Sequence, residues 1–132
     1  MAGAILTGVA IAAALSLRPR RVVVEGLSMT PTLEPGDRLL VLRRRIVSPG
    51  DVVALRDPRD RTQLLVKRVA AVTADAVRVL GDNEGSSTDS RSFGAVGRSD
   101  VVGTVVRRYG PAGRQGGLPT PSAPDGCHRN LR

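Results

Sequence analysis

From Arg21 onwards the apolar residues of this chain come in short runs rich in Val, Leu and Ala, and turn-forming residues separate them. Such runs suit pleated strands, where branched side chains pack well, and no long segment after residue 17 repeats its apolar residues at the helical period. The runs predict strands over 21–25, 38–44, 51–56, 63–72, 76–80 and 100–107. Two of them follow the same tripeptide, Pro35-Gly36-Asp37 and Pro49-Gly50-Asp51. In that tripeptide Pro presets φ and Gly accepts a positive one, so a tight turn is expected before each strand. The expected fold is all-β, a small barrel or folded sheet of about six strands. With aromatic residues at 2%, its core has to be built from aliphatic side chains.

The ends of the chain differ from its middle. Ala2–Leu17 is almost wholly apolar, 16 residues at the short limit for a membrane span, and Arg18, Arg20 and Arg21 follow it. Residues 1–20 are therefore expected to be a membrane anchor, and the positive-inside rule then puts the domain that follows in the cytoplasm. A helix lying on the membrane, or a segment packed on a cytoplasmic protein, are the alternatives. The stretch 110–132 is rich in Gly, Pro and Ser and is expected to be a disordered tail. The folded domain is then 21–109.

The formal net charge is +8. The arginines are scattered and stacking aromatics are nearly absent, which argues against a nucleic-acid partner. A basic module that binds acidic partners through Arg43-Arg44-Arg45 is the reading from a different functional class. The lone cysteine, Cys127, can form no disulfide within the chain. With His128 it makes only half of a metal site, so no metal is expected.

Of the 20 basic residues one is a lysine, Lys67, and the other 19 are arginines. Arginine cannot lose its proton at a workable pH, whereas an amine can once burial lowers its pKa. Lys67 lies in the run Leu64-Leu65-Val66-Lys67-Arg68-Val69, and strand alternation puts it on one face with Leu65 and Val69. Ser28 sits between a predicted strand and a Pro-containing turn, where its hydroxyl can be exposed beside free backbone N–H groups. The polar loop 81–94 can supply hydroxyls to orient an amine, and an Asp–Arg pair to brace itself.

Taken together, three blocks resemble those of the signal peptidase I family of serine peptidases. They are Ser28-Met29-Thr30-Pro31-Thr32-Leu33, then Lys67-Arg68-Val69, then Gly81-Asp82-Asn83 with Ser87-Thr88-Asp89-Ser90-Arg91-Ser92-Phe93-Gly94. The family's short Gly-Asp block also has a counterpart in Gly50-Asp51-Val52-Val53. The resemblance implies a Ser–Lys dyad with Ser28 as nucleophile and Lys67 as general base, without metal or cofactor. It implies that Ser87 aims the amine and that Asp89 and Arg91 brace the loop. Oxyanion and substrate are expected around Gly26, Ser28, Met29 and Pro31. Many members carry a hydroxyl where this chain has Gly26. The implied partner is a precursor protein with an N-terminal leader peptide.

Only 14 positions separate Lys67 from Gly81, room for one hairpin where typical signal peptidases insert a further β region. The compact form is similar to bacterial proteases that mature nickel-type superoxide dismutase. A small general signal peptidase is the alternative. Self-cleaving repressors also pair Ser-Met with a downstream lysine, but their DNA-binding domain has no counterpart here.

Overall fold

The computed structural model describes residues 19–43 and 46–118. Its strands are β1 (Arg20–Val23), β2 (Arg38–Leu42), β3 (Val52–Arg56), β4 (Leu64–Val72), β5 (Ala76–Leu80), β6 (Val96–Gly97) and β7 (Val101–Gly110). They form one antiparallel sheet in the order β1-β2-β7-β3-β4-β5-β6, curled into a half-barrel. The all-β class is the one expected, with seven strands where about six were predicted. The extra one, β6, is two residues long and too short to show a pattern of its own. A one-turn helix, α1 (Ser90–Phe93), and two 3-10 turns (Glu84–Ser86 and Arg98–Asp100) complete the secondary structure among the described residues.

Both Pro-Gly-Asp segments build the same turn. The Asp37 N–H donates to Glu34 O and the Asp51 N–H to Ser48 O, while Gly36 and Gly50 take φ of 91° and 94°. In each, the Asp carboxylate accepts the first residue's N–H at 2.9 Å, which locks the turn from within. This is a type II turn with Pro and Gly at its two central positions.

The curl gives the sheet two apolar cores. On β3, Val52 and Ala54 enter one cluster with Val24, Met29, Leu33, Leu39, Val41 and Val105. Val53 and Leu55 enter the other, with Val47, Val69, Val77, Val79 and Val96. A strand covered on both faces reads as a continuous apolar run, as Val52–Leu55 does. β4 follows the predicted alternation: Val66 packs on the first cluster, Leu65 and Val69 on the second.

Residues 110–118 depart from the tail expectation. Gly110 ends β7, and the chain then turns back so that Arg108 pairs with Gly116. Leu118 packs on the first core, and Arg114 reaches Asp37 at 2.8 and 3.0 Å. The physical reason is Asp37 itself. Its carboxylate is almost fully buried, and a charge there needs a partner. The expected anchor over 1–20 lies almost wholly outside the described residues, as do Arg44, Arg45 and 119–132. Among the described residues no helix is long and apolar enough to cross a membrane.

Candidate active site

Ser28 and Lys67 line one cleft of about 190 Å³ between the end of β1 and the start of β4. Its walls are Val22–Glu25 and Met29 on one side and Gln63–Val66 on the other. Ser28 is half-buried. Among the described residues no acceptor takes its backbone N–H, and no hydrogen bond joins its hydroxyl to the Lys67 amine.

Lys67 is 3% exposed, and its Nζ donates to Ser87 Oγ at 3.2 Å. Burial is the main influence on the amine and holds its pKa below the ordinary lysine value. The Asp89 carboxylate opposes that shift. Ser87 in turn donates its hydroxyl hydrogen to Asp89 Oδ2 at 2.7 Å. Asp89 is completely buried. It accepts from the Gly81 N–H and the Arg91 N–H, and from the Arg91 guanidinium through Nε and Nη2. The guanidinium contributes most to holding the Asp89 carboxyl far below the usual carboxylate range. Arg91 also pairs with Glu84 on the outside.

This chain of donors has a direction. Asp89 is ionised and can only accept, so it takes the one hydrogen of Ser87. The Ser87 oxygen can then only accept from Lys67. A neutral Lys67 therefore spends an N–H on Ser87, and its lone pair stays available to the cleft.

A second clamp holds the Ser28 segment. The Asn83 N–H donates to Ser28 O at 2.8 Å, and its side-chain amide donates to Leu27 O and Thr30 Oγ1. Asp82 accepts the Thr32 hydroxyl at 2.6 Å and two N–H groups of Arg68 at 2.9 Å each. Arg68 also donates to Gly50 O. The loop after β5 thus ties the Ser28 turn to the residue next to Lys67.

The family model described as "Signal peptidase, peptidase S26" matches residues 1–79 and 71–109. The chain belongs to this family. A mitochondrial inner membrane protease subunit 2 of Mus musculus is 36% identical over 55% of this chain and 57% of its own length. A mitochondrial ATP-independent inner membrane protease subunit 1a of Arabidopsis thaliana is 36% identical, with 67% of this chain and 68% of its own covered. A signal peptidase I of Leptolyngbya laminosa is 46% identical over 39% of this chain and 26% of its own. The chain thus spans little more than half of the mouse protease subunit.

Within this peptidase S26 chain, the structure brings Ser28, Lys67, Ser87, Asp89 and Arg91 to one cleft and its supporting loop. Met29 touches the cleft, but its side chain is buried in the first core, 1% exposed. Gly26, with φ of 76°, and Pro31 are exposed, and neither lines the cleft. Three supports escape a reading of single residues: Arg68, Asp82 and Gly81. Arg68 and Asp82 were legible only as letters inside matched blocks, because their pairing links β4 to a loop 14 residues on.

The Arg68–Asp82 pair is nearly buried, with side chains 10% and 12% exposed. Asp82→Ala leaves the guanidinium without its partner, and breaking a buried pair in this way costs about 3–5 kcal/mol. Thermal denaturation of Asp82→Ala and of Arg68→Met/Asp82→Leu checks this. The double variant, with no stranded charge, is expected to melt above the single one. A single variant that melts with the parent would remove the pair from the scaffold.

Proposed function

We propose that this chain is a serine endopeptidase in which Ser28 attacks the scissile carbonyl and Lys67 takes its proton. The observation that carries the reading is the Lys67 amine, buried in the cleft it shares with Ser28 and oriented by Ser87. Lys67 Nζ accepts the hydroxyl proton as the Ser28 oxygen bonds to the carbonyl carbon. The resulting ammonium then protonates the leaving amine, and an acyl-enzyme forms on Ser28. In the second half Lys67 deprotonates water, which releases the acyl group. Hydrogen bonds of this kind often tighten only when substrate is bound, so the open Ser28–Lys67 gap in the free protein is compatible with the role. The free Ser28 N–H is the first oxyanion donor in this reading. Gly26 supplies no side chain for a second.

The substrate is a precursor with an N-terminal leader. Relatives named as inner membrane proteases and as a signal peptidase I support a protease that works at a membrane, with residues 1–20 as its anchor. Two finer substrates divide the reading. The single hairpin between Lys67 and Gly81 favours a leader on nickel-type superoxide dismutase, while the named relatives favour secretory or sorted preproteins.

Purified protein is incubated with a nickel superoxide dismutase precursor and with a secretory preprotein, and the products are read by intact-mass spectrometry. Ser28→Ala is the control. Trimming of the dismutase precursor alone supports the maturation reading, and trimming of the preprotein alone replaces it with general signal peptidase activity. Cleavage that survives Ser28→Ala would overturn the dyad.

A further inference from the structure

Separate from the Ser28 cleft, the start of β1 helps to line a second hollow of about 300 Å³. It is lined by Arg20, Val41, Arg43, Arg56, Ser99, Val101 and Val102. Three arginines line it, from three strands or their ends. Arg20 lies opposite Val41 in the β1–β2 pairing, Arg43 follows β2, and Arg56 ends β3. All three are exposed. Among the described residues none of them has a carboxylate partner, and the nearby Asp100 is taken by Arg61 at 2.7 Å. Like charges gathered without counter-charges repel one another, and an anionic partner would relieve that repulsion.

The position of Arg20 in the chain points to an occupant for the hollow. Three residues earlier stands Leu17, the end of the apolar stretch Ala2–Leu17. Three residues of chain span at most about 10 Å. If the apolar stretch enters a bilayer, the hollow lies within reach of the headgroups, and its cations face the charge that anionic lipids present. The Ser28 cleft lies beside it, because Arg56 pairs across β3–β4 with Leu64, a residue of the cleft wall.

We propose that Arg20, Arg43 and Arg56 form a docking surface for anionic phospholipid headgroups, which seats the domain on the membrane with its cleft close to the bilayer. The docking surface rests on the reading of residues 1–20 as an anchor but not on the peptidase chemistry, and its test uses no turnover.

The full chain is bound to vesicles of phosphatidylcholine alone and to vesicles that also contain phosphatidylglycerol, at low and high salt. The parent is expected to prefer the anionic vesicles, and raised salt to erase the preference. In Arg43→Gln/Arg56→Gln the preference falls by about 30-fold, the effect of two arginines near a charged surface. Arg78→Gln/Arg107→Gln removes the same charge from exposed positions outside the hollow and is expected to keep the preference. Equal binding of the parent to both vesicles would overturn the docking surface, whether or not the variants fold. So would equal losses in the two double variants, which would make the effect one of net charge. Calorimetry with inorganic phosphate separates a free-anion site: phosphate uptake without any vesicle preference also rejects the proposal.

Discussion

Replacing Lys67 by methionine is expected to abolish precursor cleavage while leaving the fold at least as stable as the parent. The two effects have one cause. Lys67 is 3% exposed, and burial disfavours its charged form. An apolar side chain of similar length removes that penalty, and replacing a buried ionisable group by a hydrophobic one is often neutral or stabilising. Catalysis moves the other way, because losing a general base costs on the order of 10²–10⁴-fold. Lys67→Arg separates charge from chemistry. Its guanidinium cannot lose a proton to escape burial. It is expected to be equally inactive but destabilised, by about 3 kcal/mol for a stranded charge. For a domain of this size that corresponds to a melting point lower by roughly 10 °C or more. Melting curves beside cleavage assays check the order methionine, lysine, arginine. If the methionine variant melts well below the parent, the amine is contributing to the fold, and its burial is no sign of a poised base.

The pH dependence has a definite sign. Lys67 acts as a base only when neutral, so kcat/KM rises with pH and levels off above the depressed pKa of the amine, below the 10.5 of a free lysine. Stability follows the same proton. The unfolded chain binds it more tightly than the native state does, so the native state gains stability as pH rises from the depressed value towards 10.5. The advantage of the methionine variant is therefore largest at low pH and shrinks across that window. A parent and a methionine variant whose stabilities run parallel through the window would contradict a depressed pKa.

Much of this site is written locally in the chain. β3 is an aliphatic run up to Arg56, β4 is an apolar run interrupted only by Lys67 and Arg68, and the Pro-Gly-Asp turns carry their own side-chain lock, so short-range pattern is enough to place them. The single lysine stands out because every other cation is an arginine. Features held by distant partners are not legible in that way. Arg114 looks like one more tail residue until Asp37, 77 positions earlier, is seen buried beside it. The Ser87–Asp89 bond also fixes which group donates, and no spacing rule conveys that. Gly81 is the sharpest case. It reads as an ordinary loop glycine, yet its φ is not among the positive ones. Its requirement comes from what stands next to it.

Gly81→Ala is expected to damage stability and catalysis together, although the backbone there suits any residue. A Cβ at this position would lie 2.1 Å from Ser87 Oγ, 2.5 Å from Ser87 Cβ and 2.6 Å from Ser28 O. None of these can yield cheaply. Ser87 is short and tied to Lys67 and Asp89, and Ser28 O is backbone that accepts the Asn83 N–H. Overpacking of this kind costs about 3 kcal/mol. The displacement falls on the group that aims the amine and on the nucleophile's own backbone, and a shift of about 1 Å in such a constellation can lower the rate on the order of 10²-fold. Gly81→Ala/Ser87→Gly removes the Ser87 side-chain contacts and leaves the one with Ser28 O. It is expected to recover part of the stability and none of the activity, since the orienting hydroxyl has gone. Melting temperature and kcat/KM measured on both variants separate the effects. Parental values for Gly81→Ala would show that the loop packs less closely than described, and activity restored in the double variant would release Ser87 from any part in orienting Lys67.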